Sequence, residues 1–534
     1  MELKKKKILL GTINYNQVSV VHWLPYAVGC LISHCKKNPK INELYEFMEP
    51  IYVSYKPRFY DKVLKQADIL GLTNYGWNIT YNDKLARHYK AVNPKGFVIY
   101  GGPEVPWNQE ERKLFMEEHP WIDHSIAGLG EIAFEEWLLD LPASGKKITE
   151  VPTVYTDGIF DSIIKRKGKG HKLGAAMESD RGCPYGCAFC DWGNTTRSKI
   201  TKFDFDTVMK QFEFIYATPE VDEFFLANAN LGILERDVAM VEGWLELQEK
   251  YDHPINVVYG GLAKNGSKHL PRIVDLLENK FNVQKHNMKV SFQTHTPEVL
   301  RIINRGNINN SKLLPIIEEQ RAKGNDITGE MIIGLPGETA ESWLDSHDYM
   351  FHDLGINRTM IFILQITQNT MLADKAFQKE YGIKTKRVHY GSHSQHVMYE
   401  CFSYDLEELV RMYDYNWLWH NLINTGFVTN QVDSLGDQFR ILMKKINDGQ
   451  APFLKSLIDR NRTIVREVFR PERRTELKSS DYKVWFQATL RSGELRDIFS
   501  NRDLFQREIS VVFPKPLELE WDIDSYFKRI PDIK

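Results

Sequence analysis

The chain has 534 residues, more than one hydrophobic core usually organises, so two or three domains are expected. Its 42% apolar and 26% charged residues exclude a disordered chain, and a formal net charge of −2 argues against gripping nucleic acid through overall charge. Six cysteines in such a length exclude a disulfide framework and suit a reducing compartment, where thiols serve chemistry or packing.

The first residues, "MELKKKKILLGTINY", carry a lysine cluster, but the apolar run Ile8 to Leu10 is too short for an export signal. It reads as a first buried strand. No run of about 18 apolar residues occurs, so no membrane span is expected and the chain reads as cytoplasmic. Residues 1–160 then alternate short apolar runs with helical patterns, as in "ADILGLTNY", "GFVIYGGPEVP" and "WIDHSIAGLGE". Such alternation predicts a doubly wound parallel sheet with ligands at the carboxyl ends of its strands.

Residues 161–173, basic and punctuated by glycine, read as a linker. From 174 to 390 six further strand patterns follow: "KLGAAMES", "VDEFFLANA", "INVVYGGLA", "NMKVSFQTH", "ITGEMIIGLPG" and "RTMIFILQIT". Helical patterns between them predict a partial (β/α)6 barrel, again with its chemistry at the strand C-termini. Residues 391–534 read as a mainly helical cap. Its helix "DLEELVRMYDYNWLWHNLINTG", closed by Gly426, lines up Leu406, Leu409, Val410, Tyr413, Trp417 and His420 near one face.

Directly after the first of the six strands, "ESDRGCPYGCAFCDWGN" places Cys183, Cys187 and Cys190 at C-x3-C-x2-C spacing. A zinc site or a ferredoxin cluster takes four ligands, and the remaining Cys30, Cys35 and Cys401 are remote in sequence. Three thiolates around a 4Fe–4S cube leave one iron open to a substrate or cofactor. Gly182, Pro184 and Gly186 let the backbone wrap a bulky inorganic core.

This turn, with Phe189 before its last cysteine, resembles the signature of the radical S-adenosylmethionine (SAM) superfamily. The resemblance implies that the open iron chelates SAM, which is cleaved by one electron to a 5′-deoxyadenosyl radical. It implies SAM contacts at Phe189, at Asn228 and Asn230 (in place of the usual Gly-Gly-Glu), and at Ser291 and Gln293. The motif "GEMIIGLPGET" adds Glu330, Ile333 and Gly334. The loops "LTNYGWNIT", "VIYGGPEVP" and "IAGLGEIAF" resemble the cobalamin-binding domain that precedes the radical domain in one large subclass. By that resemblance the corrin would lie against Thr73, Tyr75, Trp77, Asn78, Gly101, Gly102, Pro103, Glu104, Val105, Gly128, Gly130 and Glu131. The Asp-x-His-x-x-Gly motif that supplies a cobalt-ligating histidine is missing. Its nearest match starts at Asp345 and His347, reaches Met350 where glycine is needed, and lies in the wrong domain.

The expected function is a cobalamin-dependent radical SAM methyltransferase acting on an unactivated carbon. Methyl transfer would run from SAM through methylcobalamin to a substrate radical. A ring rearrangement or cyclisation without methyl transfer is one alternative, and modification of tRNA another. A small-molecule or peptide substrate is expected, with an external one-electron reductant such as flavodoxin or ferredoxin. His389, His393 and His396 form a polar stretch without a carboxylate and read as surface or substrate-contacting rather than as a metal site.

Overall fold

A computed structural model describes residues 4–13, 21–166, 172–193, 199–262, 267–281, 288–390, 393–424, 434–470, 475–476, 498, 500–510 and 512–513. The first part contains strands β1 (Lys6–Gly11), β2 (Val21–Trp23), β3 (Tyr45–Phe47), β4 (Ile69–Thr73), β5 (Phe97–Gly101) and β6 (His124–Ser125). All but β2 form a parallel sheet in the order β3-β1-β4-β5-β6. Side chains alternate across it, as period-two geometry requires. Ile8, Leu10, Ile69 and Ile99 join the large core shared with the rest of the molecule. Leu9, Leu70, Leu72, Val98 and Tyr100 join a separate outer core with Leu85 and Tyr89 of helix Ile79–Val92. Both faces are therefore covered.

The second unit holds β7 (Lys172–Met177), β8 (Asp180–Arg181), β9 (Thr201–Lys202), β10 (Val221–Leu226), β11 (Asn256–Tyr259), β12 (Met288–Gln293), β13 (Ile327–Ile333) and β14 (Arg358–Ile363). β11, β10 and β7 pair in parallel, as do β12, β13 and β14; β8 and β9 make a small antiparallel ladder. All seven residues of β13 are buried, the signature of a strand covered on both faces. Helices Phe205–Tyr216 and Arg236–Tyr251 fall where the apolar periodicity places them. The chain is thus α/β with parallel sheets.

Four expectations need correction. β2 leaves the first sheet and pairs in parallel with β7, so the 21–23 segment extends the second unit's sheet. The stretch read as a linker is structured at both ends: Asp161–Arg166 is helical with Ile163 buried, and β7 begins at Lys172. The last strand pattern breaks into β14 and β15 (Gln365–Ile366). The end of the stretch read as a barrel, β16 (Lys384–Tyr390), forms a hairpin with β17 (His393–Glu400), which opens the region expected to be helical; the hairpin pairs with β15 and with β18 (Thr475–Glu476).

Helix Leu406–Leu418 follows, capped by the Asp405 side chain on the Glu408 amide. It packs on helix Ala340–His352, whose start carries a reciprocal Thr339–Ser342 capping box. Trp343, His347 and Trp419 meet ring to ring there. Burial pushes His347 down to about 4, so it is a neutral core residue whose Nδ1–H donates to the Trp343 carbonyl. Gly426 lies outside the described residues.

Candidate functional site

Two sets of strand ends face a common cavity of about 820 Å³. One wall is the end of the first sheet: Thr73, Tyr75 and Trp77 after β4, Gly101 to Glu104 after β5, and Gly128 to Glu131 after β6. The opposite wall carries Phe189, Cys190, Asp191 and Trp192 of the cysteine turn. Gln365 to Gln368 and the hairpin residues Ser394, Gln395 and His396 close the side.

The cysteine turn is fixed by its neighbours rather than by its own short ladder. Gly182 takes a φ of +111°, a left-handed geometry that favours glycine. The Ala188 amide donates to the Ile303 carbonyl (2.9 Å) and its carbonyl accepts from the Leu372 amide (3.1 Å). Asn304 Nδ2 holds the Gly186 carbonyl at 2.9 Å. Cys183 and Cys187 are buried, Cys190 partly exposed. Asn230 Nδ2 lies 3.2 Å from Cys183 Sγ, and Arg305 Nη1 lies 3.8 Å from Cys187 Sγ. Burial pushes the Arg305 guanidinium down, against the pull of the neighbouring Cys187. Sequence reading missed Arg305. The one clue was its place in "IINRGN", just past the β12 motif.

Among the described residues no three His, Cys, Asp or Glu side chains are drawn together as ligands of one metal ion. A cube spreads its thiolates over separate irons, wider apart than the ligands of one ion. Three thiols on one glycine turn, two of them facing N–H donors, fit such a group as a donor set.

The residues expected to contact SAM divide. Phe189 lines the cavity. Among the described residues the buried Asn230 Oδ1 has no partner, nor does Gln293 Oε1, and Gln293 has a φ of +71°. Asn228 is already engaged: it accepts from the Ser179 amide and donates to Ser179 Oγ and Asp180 Oδ2, each of the latter at 2.6 Å. Ser291 Oγ donates to Glu330 Oε2 at 2.6 Å, and the Ser291 carbonyl accepts from Arg305. Ile333 is core, and the Gly334 carbonyl accepts from Tyr404 Oη at 2.7 Å.

On the first wall the positions expected against a corrin also divide. Asn78 and Val105 do not line the cavity. Asn78 is buried, holding the Tyr75 amide and the Ile13 and Thr73 carbonyls, and Val105 belongs to the outer core. Tyr75 and Trp77 stack on each other, centroids 4.2 Å apart. Glu131 is tied to Arg181 at 2.9 Å, and Arg181 also holds Glu178 at 2.6 Å, a largely buried bridge between the two units. Two of the glycines are open: among the described residues a Cβ at Gly128 would meet nothing within 4 Å, and one at Gly101 only the Ile126 carbonyl at 3.7 Å. Such bare backbone fits a broad flat ligand. The Glu104 carboxyl makes no hydrogen bond or ion pair among the described residues, and burial pushes it up to about 7 against the pull of Arg387.

The three histidines lie on a hairpin, not in a loop. Arg387 Nε donates to His396 Nε2 at 3.0 Å, so that ring is neutral with its proton on Nδ1, and burial pushes it down to about 4. The expected cap is likewise relocated. Among the described residues the hairpin borders the cavity, whereas the helices after Asp405 do not line it. No described helix is long and apolar enough to cross a membrane.

Residues 177–350 match the model of the Radical SAM superfamily, a class whose cofactors are a 4Fe–4S cluster and SAM. Among curated proteins the chain is similar to the cobalamin-dependent radical SAM methyltransferase TokK of Streptomyces tokunonensis. Identity is 27% over 391 residues, 68% of this chain and 56% of that one. It is similar too to 2-(S-pantetheinyl)-carbapenam-3-carboxylate methyltransferase of Streptantibioticus cattleyicolor, 27% identical over 69% of this chain and 57% of the relative. The chain therefore spans little more than half the length of these relatives. Among solved structures, the methyltransferase TsrM of Kitasatospora setae, with cobalamin and a [4Fe-4S] cluster bound, aligns at a TM-score of 0.53. Identity there is 15%, over 71% of this chain and 77% of TsrM. The cobalamin-dependent SAM radical enzyme OxsB aligns at 0.54 and 11% identity, over 99% of this chain and 84% of OxsB. These two likenesses establish the fold.

Proposed function

We propose that this chain is a cobalamin-dependent radical SAM methyltransferase that methylates an unactivated carbon. The observation that carries the reading is the shared cavity, with open glycine strand ends on one side and Cys190 on the other. A first doubly wound domain over 1–160 would hold the corrin, and a partial (β/α)6 barrel over 174–390 the cluster and SAM. Cys183, Cys187 and Cys190 would ligate the cluster, and Phe189, Asn230 and Gln293 would contact SAM, a reading supported by Phe189 at the cavity wall and by the unpartnered oxygens of Asn230 and Gln293. Gly101, Gly102, Gly128 and Gly130 would let the corrin approach. When bound, these groups supply the radical and the methyl group, while the protein sets their spacing and excludes water.

The chain's own side chains do the positioning. Arg181 locks Glu131 of one unit to Glu178 of the other. Ser394 of the hairpin donates its amide to the Gly76 carbonyl at 2.7 Å, closing the side of the cavity. A small molecule or peptide would be the substrate and flavodoxin or ferredoxin the electron source. The test is anaerobic reconstitution with iron, sulfide and hydroxocobalamin, then incubation with SAM and reductant. The carbapenam carboxylate in the relative's name serves as a first candidate substrate alongside peptide and small-molecule panels. Retention of corrinoid, with S-adenosylhomocysteine and 5′-deoxyadenosine formed together, supports methyl transfer. Deoxyadenosine alone points to a rearrangement, and a protein that never retains corrinoid overturns the proposal.

A further inference from the structure

The segment after β15 touches the supports of both walls, and an asparagine makes its bonds to the first. Asn369 sits at a φ of +69°, a left-handed conformation that asparagine tolerates better than most residues. Its amide is fully used across the boundary between the units. Nδ2 donates to the Pro103 carbonyl (2.9 Å) and the Val105 carbonyl (3.1 Å), and Oδ1 accepts from the Trp107 amide (2.8 Å). The two carbonyls it grips flank Glu104, so the clasp fixes the direction in which that carboxyl enters the cavity. Three residues later the same segment donates the Leu372 amide to the Ala188 carbonyl, between Cys187 and Cys190. The Thr370 hydroxyl closes the intervening turn on the Thr367 carbonyl at 2.7 Å. One short tight turn therefore bonds directly to the Gly-Gly-Pro-Glu loop and to the cysteine turn.

We propose that Asn369 is a positioning residue: it sets the separation and orientation of the corrin-side loop relative to the cluster-side turn, and with it the coupling between the two cofactors. The inference rests on the functional reading above, but its first test does not. Asn369→Gly keeps the left-handed backbone and deletes the clasp; Asn369→Asp keeps the acceptor for Trp107 and deletes both donors. In protein without cofactors, hydrogen exchange at the Trp107 amide should speed up by about 10-fold in Asn369→Gly and remain near wild type in Asn369→Asp. In loaded protein, the cluster's absorption should be unchanged. The magnetic coupling between cob(II)alamin and the reduced cluster, read by electron paramagnetic resonance, should weaken or broaden in both variants. With substrate, kcat should fall by about 10- to 100-fold at unchanged KM for SAM, with more deoxyadenosine released per methylated product.

Wild-type exchange at Trp107 in Asn369→Gly overturns the clasp itself. Faster exchange with unaltered magnetic coupling overturns its positioning role. A wild-type protein that retains no corrinoid sinks the functional reading instead, and leaves the exchange result to decide whether the clasp exists.

Discussion

The two walls of the cavity are built on opposite plans. On the first wall backbone is left bare: Gly101 and Gly128 face open space, and the Glu104 carboxyl makes no hydrogen bond or ion pair among the described residues. On the second, side chains are already committed to one another, as in Asn228 with Ser179 and Asp180, or Ser291 with Glu330. A wide ligand held by many weak contacts needs room more than polar partners. A cluster and its small cofactor need rigid, prepaid geometry instead, because misplacement by an ångström is costly.

The hardest test of this contrast is the cysteine turn. Replacing Cys183, Cys187 and Cys190 together by Ala should abolish the broad absorption near ~400 nm of such clusters and all reductive SAM cleavage, while corrinoid is still retained. Residual cleavage in the anaerobically reconstituted triple variant would break the assignment of the second wall.

On the first wall the prediction separates two glycines. Gly102 has a φ of +95°, and a Cβ there would sit 2.6 Å from the Asn74 carbonyl oxygen. Gly102→Ala should cost about 1–3 kcal/mol and abolish corrinoid retention, since both backbone strain and a backbone clash must be relieved. Gly128→Ala, with open space around it, should cost only the left-handed strain of about 1–2 kcal/mol. Equal losses in denaturant midpoint for the two would mean that the wall is not sculpted by close approach.

Glu104 gives a pH signature. Its carboxyl rises from 4.5 to about 7, so between those values the folded chain binds more protons than the unfolded one. Stability must then fall as pH rises through that window. Asp180 (about 7), Glu278 (about 8) and Asp414 (about 6) act in the same direction, all through burial. Glu104→Gln should flatten part of the slope between pH 5 and 7 in urea titrations, leaving those three contributions (window from the linked titrations). An unchanged slope would show that Glu104 is ionised in the native state.

The smallest effect sharpens the second wall. Asn228→Ala removes three hydrogen bonds and should cost about 1–3 kcal/mol of stability with little change in cluster potential. Asn230→Ala removes the donor to Cys183 Sγ and should instead lower the cluster's reduction potential while stability moves less. Spectroelectrochemistry beside thermal melting checks the pair, and reversed outcomes would exchange the roles assigned to the two asparagines.

Much of this arrangement could be read from the residues because its elements announce themselves locally. Short apolar runs ending in Gly, Asn or Pro gave β1, β4 and β5 and the six later strands. The cysteine spacing located the second wall. What escaped were features whose meaning lies in distant partners. Asn228 stands at a strand end in both a ligand-binding and a structural reading; only the fold shows Ser179, 49 residues back, already in its grasp. Asn369 sits in an ordinary "TQNT" loop, and its partners lie more than 260 positions earlier. The hairpin was within reach, since "KTKRVHYGSHSQHVMYE" alternates in period two around a glycine turn. Its histidines read instead as surface or substrate-contacting groups of a polar stretch.

The three residues of β2 have a consequence for how this chain is made. Val21–Trp23 pair with Lys172–Gly174, so the strand that borders β7 is synthesised about 150 residues before it. Folding must hold an early, short edge segment in reserve until the later unit emerges, a closure of high contact order that slows assembly. Until then the flank of β7 is an unpaired template. Expressed without its first 25 residues, the second unit should pair that edge between molecules and aggregate, and supplying the missing peptide in trans should return it to solution.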